Sequence, residues 1–257
     1  MIEASPNNSP FFTVITVCRN AGQLLERTMR SVLSQTFDCF EYLIKDGLSS
    51  DGSLSILSRI EKVKLISRPD TGIYDAMNQA LPECRGEYVC FMNAGDTFYS
   101  SDTLNRVADF IRAHPTRSIY YGHASSGGRP RIHPRRLSMA FLYEGHLCHQ
   151  ALFVKRDLYI NEKGFDLSYR LLADRDFLVR VLWVQRISSM LMPFFVCHYD
   201  LSGLTAKQEY QEIKMRELLA IQKLYFRRRH KLWIWFYLNA LAKPRSLLRG
   251  YLRRRGP

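Results

Sequence analysis

The sequence predicts an α/β fold, a mostly parallel sheet flanked by helices, followed by a basic helical C-terminal segment. Three observations carry this. Short apolar runs of strand length alternate with stretches of helical periodicity as far as Ser100, and strands separated by helices pair in parallel, as in a doubly wound sheet. Aspartates stand where apolar runs end or helices begin: Asp46 after FEYLIK, Asp96 after EYVCFMNAG, and Asp174 opening DRDFLVRVLW. Of the formal charge of +13, eleven Lys and Arg with no Asp or Glu fall between Leu218 and Pro257, leaving the first 217 residues almost balanced.

The elements follow in order. FFTVITVC (11–18) is a buried strand, and AGQLLERTMRSVLSQ (21–35) is a helix with Leu25, Met29, Val32 and Leu33 on one face. FEYLIK (40–45) is the second strand, DGSLSILSRI a short helix, VKLIS (63–67) the third strand, IYDAMNQAL (73–81) a helix and EYVCFMN (87–93) the fourth strand. Beyond Ser100 the pattern loosens into a helix near 102–113, the strand SIYYG, the loop GGRPRIHPRR, the strand ALFVK, and helices near 174–184 and 206–226. Asp102 reads as the cap of its helix and Asp51 as the cap of the short one.

With 46% hydrophobic residues, 257 residues bury one substantial core or at most two small ones. No repeat or linker marks a second domain, so the expected division is a catalytic-sized unit over 1–205 and a tail over 206–257. MIEASPNNSP lacks the basic start and apolar stretch of a secretory signal, which points to the cytoplasm. Six cysteines without CxxC spacing fit reduced thiols. His146, Cys148 and His149 lie close together, but no second ligand pair accompanies them, which argues against structural zinc.

Open α/β sheets bind ligands beyond the carboxyl ends of their strands, where acids can hold a cation, a nucleotide or a reacting hydroxyl. The same positions suit turn residues and helix caps. The choice between these readings comes from longer motifs. FTVITVCRNAGQLLERTMRSVLSQTFDCFEYLIKDGLSSDGS, RPDTGIYDAMNQAL, GEYVCFMNAGD, HQALFVKRDLY and GFDLSYRLLADRDFLVR together resemble the family 2 glycosyltransferases, over roughly residues 11–205. The GIYDAMN and NAGD forms are similar to those of bacterial enzymes that assemble exopolysaccharide, capsule or O-antigen repeat units.

The resemblance implies a GT-A, Rossmann-like fold and a nucleotide-sugar donor, UDP-glucose or UDP-galactose being favoured. It places Asp46 on the uracil ring N–H, with Thr16, Cys18 and Asn20 shaping the base pocket. Arg68, Asp75 and Asn78 fall beside the nucleotide or donor sugar. The family's Asp-x-Asp metal motif is reduced here to Asn93-Ala94-Gly95-Asp96, so Asp96 becomes the ligand for Mn2+ or Mg2+, and Asn93 a donor-side neighbour. A hard ion accepts few protein ligands when phosphate and water fill its shell. His198 is a second candidate metal ligand, and His149 and Gln150 resemble the acceptor-side pair. ADRDFLVRVL is similar to the segment carrying the catalytic base, which makes Asp174 the base and Asp176 its fallback, while a helix N-cap role for Asp174 is compatible with that chemistry. Single displacement inverts the anomeric centre and gives a β-glycoside from an α-linked donor. The implied acceptor is a polyprenyl diphosphate-linked saccharide. A catalytically inactive nucleotide-sugar-binding or scaffolding protein is the competing reading, motivated by the thinned NAGD motif.

In the tail, LWIWFYLNALA offers eleven residues between basic runs, too few to span a bilayer, which takes about 20. Trp233, Trp235 and Tyr237 among Lys and Arg suit an anionic membrane surface, with a core-packing helix as the alternative. No nucleic-acid reading motif accompanies the charge.

Overall fold

A computed structural model of the chain describes residues 9–55, 62–200 and 208–226, with His230 and Ile234. β1 (Phe12–Cys18) is buried along its whole length. Its two faces meet two different cores, Phe12 and Val14 packing with one and Ile15 and Val17 with the other. A strand covered on both sides reads as an unbroken apolar run, which is why it was legible. β1 pairs in parallel with β2 (Phe40–Asp46) and β4 (Tyr88–Phe91), and β2 pairs in parallel with β3 (Val63–Ser67). α1 (Gly22–Leu33) and α2 (Ile73–Ala80) cover opposite faces: Leu25, Met29 and Val32 join the Phe12 core, whereas Tyr74, Met77 and Ala80 join the Ile15 core. Leu33 is only half-buried. Of the short helix expected in DGSLSILSRI, one turn at 53–55 is present and the remainder lies outside the described residues.

After β4 the chain forms β5 (Thr97–Phe98), α3 (Thr103–Ala113), β6 (Ile119–Ser126), β7 (Arg129–Arg131), α4 (Met139–Glu144), β8 (Leu152–Lys155), α5 (Arg156–Asn161), α6 (Ala173–Val179), β9 (Ser189–His198) and α7 (Gln211–Tyr225). The spatial order among the described residues is β3-β2-β1-β4-β8-β6-β9-β5, with β7 on β6. The four strands from β3 to β4 are parallel, as expected. Beyond them the sheet is mixed: β8 runs antiparallel to β4 and β6, β9 runs parallel to β6, and β5 runs antiparallel to β9.

β5, β7 and β9, and the helices α4 and α5, were not legible in the sequence. In β9 the run SMLMPFFVCH holds Pro193, which normally demotes a strand. The register between β6 and β9 shifts on either side of His123, so the ladder is interrupted near the proline. Gly122 makes room for this irregularity, because a Cβ there would stand 2.4 Å from Val196 Cγ2. Asp102 precedes α3 but makes no side-chain cap to it; its carboxylate accepts from the Ser100 hydroxyl instead.

The expected boundary at 205/206 falls before α7, yet α7 is built into the Ile15 core. Ile221 and Phe226 are 0% and 1% exposed there, and Ile234 is 1% exposed in the same cluster. Trp233, Trp235 and Tyr237 lie outside the described residues. Among the described residues no helix is long and apolar enough to cross a membrane.

Candidate active site

A cleft of about 880 Å³ opens beyond the carboxyl ends of β1 and β4, where the parallel half of the sheet meets the mixed half. This is where an open α/β sheet presents a ligand crevice. Cys18 and Asn20 reach it from β1, Asn93 and Asp96 from the turn after β4, His149 and Gln150 from the turn before β8, and Asp174 from the first turn of α6. Seven residues singled out in the sequence therefore share one cavity.

Asp174 is 5% exposed. It is the second residue of α6, whose N-cap is Leu172, so it does not cap the helix. One carboxylate oxygen, Oδ1, accepts from the Arg175 N–H at 2.8 Å and the Tyr74 hydroxyl at 2.9 Å. The other, Oδ2, has His149 Nδ1 at 3.3 Å and His146 Nε2 at 3.8 Å. Burial would raise the proton affinity of Asp174, but the hydrogen bond from His149, the charges of the two histidines and Tyr74 outweigh it and hold the carboxyl well below the usual range. Burial likewise opposes the charge on His149, yet the Asp174 carboxylate raises its pKa. His146 is pushed down to about 4, chiefly by burial. Asp176, the expected fallback, faces away: it accepts from Tyr225 of α7 at 2.8 Å and has Arg180 Nε at 3.6 Å.

Asp96 ends the NAGD turn, which Gly95 makes possible by holding φ at 103°. A Cβ at Gly95 would also crowd Asp200, 3.2 Å away. Asp96 Oδ1 accepts from the Asp200 N–H at 2.8 Å and Oδ2 from Gln150 Nε2 at 2.7 Å. Burial, the largest influence, raises its pKa. Asn93 Nδ2 lies 2.9 Å from His149 Nε2, a contact that suits neutral imidazole with its proton on Nδ1, facing Asp174. Asn93 Oδ1 is buried without a hydrogen-bond partner. The adjacent residues His149 and Gln150 thus bridge the Asp174 end of the cleft to the Asp96 end.

The donor chemistry fits a hard divalent cation: the Asp96 carboxylate and the unpaired Asn93 Oδ1 offer oxygens of the kind such an ion takes, and an orphaned buried acceptor is costly unless a cation or donor meets it. Among the described residues no group of three or more His, Cys, Asp and Glu clusters at metal-binding spacing, so substrate oxygens and water would complete the shell. The six cysteines are free, and Cys148 Sγ lies 4.0 Å from Cys197 Sγ.

Six other expected site residues do not line the cleft. Thr16 is fully buried against Tyr42 and the Met92 carbonyl. Asp46 is also fully buried, accepting from the Ser49 N–H at 3.0 Å and Ser67 Oγ at 2.8 Å, so its carboxylate closes the loop after β2. Arg68 is spent on Gln79, and Asp75 accepts from the Thr71 N–H at 2.8 Å as a local cap. Asn78 clasps Phe165 through both ends of its amide. His198 pairs with Ser125 and stacks on Tyr99 at 4.6 Å; the cleft wall is formed by Tyr199 and Asp200, beyond it.

Tyr74 and His146 were missed as partners of Asp174. The signal for Tyr74 was a phenol on the apolar face of a helix, since a buried hydroxyl requires a partner. Asp51, expected to cap the short helix, accepts from the Ser53 N–H at 3.0 Å and from the Gly22 N–H at 3.1 Å, tying that turn to the start of α1.

Residues 13–170 match the family model described as Glycosyl transferase family 2. A PGL/p-HBAD biosynthesis glycosyltransferase of Mycobacterium bovis (strain BCG / Pasteur 1173P2) is 32% identical over 205 residues, 76% of this chain and 78% of the relative. Among solved structures, S. aureus TarS 1-349 in complex with UDP-GlcNAc superposes with a TM-score of 0.68 at 18% identity, over 91% of this chain and 74% of that one. The mannosyltransferase PcManGT from Pyrobaculum calidifontis, in complex with GDP-Man and Mn2+, gives 0.59 at 20% identity, over 84% of this chain and 63% of that one. Those likenesses carry the GT-A fold. The family match takes in β1 from Thr13 onward, the NAGD turn and the His149–Gln150 pair, and on that evidence the chain belongs to glycosyl transferase family 2.

Proposed function

We propose that this glycosyltransferase moves a hexose from a UDP-sugar, UDP-glucose or UDP-galactose, to a polyprenyl diphosphate-linked saccharide during assembly of a bacterial surface glycan. The observation that carries this reading is the bridge His149–Gln150, which holds a buried candidate base 3.3 Å from one residue and a candidate metal acid 2.7 Å from the next. The mycobacterial relative is named for PGL/p-HBAD biosynthesis.

In the proposed reaction the acceptor hydroxyl gives its proton to Asp174 as its oxygen bonds to the anomeric carbon, and the bond from that carbon to the nucleoside diphosphate breaks. Oδ1 is tied to Tyr74 and Arg175, which leaves Oδ2 as the oxygen for the proton. A positioned carboxylate contributes about 100- to 10,000-fold in such a step. His149 orients Oδ2 through its Nδ1 proton. Attack opposite the leaving group inverts the centre and yields a β-glycoside. Asp96 and Asn93 would hold Mn2+ or Mg2+, which supplies Lewis-acid compensation for charge developing on the diphosphate. Cys18 and Asn20 stand at the end of β1, where the nucleotide would lie; Asn20 adopts φ 51° and fixes the facing loop through the Ser50 N–H at 2.9 Å. The basic tail and its aromatic residues support peripheral attachment at the cytoplasmic face of an anionic membrane, while Ile234 already anchors part of that segment in the core.

Turnover of a nucleotide-sugar panel with a lipid diphosphate-linked acceptor, with and without Mn2+, tests the reading. Donor binding without transfer to any acceptor would favour the inactive binding or scaffolding alternative.

A further inference from the structure

We propose that the Asp174 end of the cleft holds a subsite for an oxyanion on the acceptor, formed by Arg131, Arg170 and Lys214. The inference rests on the glycosyl-transfer reading above and adds the charge of the acceptor to it. The three cations come from three separate places in the chain, the end of β7, the segment before α6 and the first turns of α7, and all line the cleft that contains Asp174. Among the described residues none of them forms an ion pair, whereas the lining acids Asp70 and Asp200 are paired with Lys45 and Arg27.

Two of the cations are held in place without being neutralised. Arg131 donates to the carbonyl of His146 at 3.2 Å, and the His146 ring lies 3.8 Å from Asp174, so this guanidinium belongs to the surroundings of the base. Arg170 lies over the Tyr210 ring at 5.0 Å. Buried Glu217 is already committed: it accepts from the Arg170, Leu171 and Leu172 N–H groups at 2.7, 2.9 and 3.0 Å. Arg175 is buried and turned onto the carbonyls of Leu142, Tyr143 and Gly145. Exposed Glu144 and the Asp174 carboxylate itself are the acids that share this part of the wall, so the three cations outnumber them.

Partly exposed cations of one sign on a concave wall raise the positive potential there, and the arginine fork matches phosphate and carboxylate oxygens. In the resting cleft none of the three is paired with a carboxylate among the described residues. An acceptor with a phosphate or carboxylate near its reacting hydroxyl supplies the partner and is positioned by it.

The test uses the full chain, the nucleotide sugar it turns over fastest, and one acceptor sugar presented as a decyl diphosphate conjugate, as a decyl uronic acid glycoside and as a neutral decyl glycoside. The expected result is a kcat/KM at least about tenfold higher for an anionic form than for the neutral one. That preference should shrink about threefold in each of Arg131→Gln, Arg170→Gln and Lys214→Gln and vanish in the triple variant, as for partly exposed charge pairs. The anionic form that leads identifies the source of the oxyanion. Equal kcat/KM for charged and neutral acceptors in the unmodified protein overturns the subsite while leaving glycosyl transfer standing, as does a preference that survives in the triple variant. Absence of both donor binding and turnover overturns both.

Discussion

Gln150 Nε2 donates to Asp96 Oδ2 across 2.7 Å, and the neighbouring His149 lies 3.3 Å from Asp174. Two consecutive residues therefore set the relative position of both acids on which the proposed chemistry depends. This arrangement supports separate tests of each end.

Asp96→Asn is expected to remove most metal-stimulated transfer while leaving the fold intact. Asp96 accepts from both the Asp200 N–H and Gln150 Nε2, so the amide keeps one acceptor and loses one hydrogen bond, a local cost of about 1–3 kcal/mol rather than loss of the fold. Mn2+-dependent turnover and thermal unfolding of both forms decide this, and near-normal activity in the variant would exclude a ligand role.

Asp174→Asn should bind donor within about twofold of the unmodified protein yet lose about 100- to 10,000-fold in single-turnover rate, since a base acts mainly in the transition state. Tyr74→Phe, which removes one hydrogen bond to Oδ1, should lower the rate by about tenfold or less. Donor titration alongside single-turnover kinetics separates binding from chemistry; an equal loss of affinity and rate would make Asp174 a binding residue.

Activity and stability are expected to respond to pH with opposite signs at His149. Its pKa is raised by Asp174; Nδ1 already donates to Oδ2 in the neutral form, so below that value the added proton sits on Nε2 against the Asn93 amide and the imidazolium charge makes Asp174 a weaker base. kcat/KM should therefore fall on the acid side with a limb above the ordinary histidine value of about 6.5, and His149→Asn should move that limb to lower pH. The raised His149 contributes stability that is complete below about 6.5 and is lost as pH rises through its native value. The lowered Asp174 contributes stability present above about 3.9 and lost as pH falls through its native value. The pair accordingly stabilises most between about 3.9 and 6.5, and a melting-temperature profile that is unchanged in His149→Asn would contradict it.

Phe226→Ala should cost about 3–5 kcal/mol of stability, the range for emptying an aromatic core position. Phe226 is 1% exposed and packs on Trp183 and Tyr143, at 6.0 and 5.2 Å between ring centroids. Chemical denaturation checks this. A chain ending after Ile234 keeps these contacts and should remain folded, yet sediment less with anionic vesicles than the full chain. For the full chain, salt should weaken sedimentation, since surface charge is screened over about 8 Å at physiological ionic strength. Equal sedimentation of the two chains would eliminate the membrane role of the segment beyond Ile234.

The sequence by itself determined the parallel half of the sheet and the addresses of its acids. β1 and β4 are buried on both faces, so their apolar runs have no competing reading, and α1 shows its buried face at Leu25, Met29 and Val32. Asp96, Asp174, His149 and Gln150 were legible because ordered motifs fix residue types at strand and helix ends. Only the tertiary structure decided which of the polar residues face the cleft. Asp46, Asp75 and Asn78 sit in motifs as distinct as that of Asp174, but their hydrogen bonds are satisfied by Ser49, Thr71 and Phe165, and a sequence does not show where a side chain spends its donors and acceptors. The same holds for β9, whose proline is accommodated at an irregularity opposite Gly122, and for α7, whose Ile221 and Glu217 pack into the core and onto the approach to α6. Those pairings join residues far apart in the chain, so they depend on the assembled sheet rather than on local periodicity.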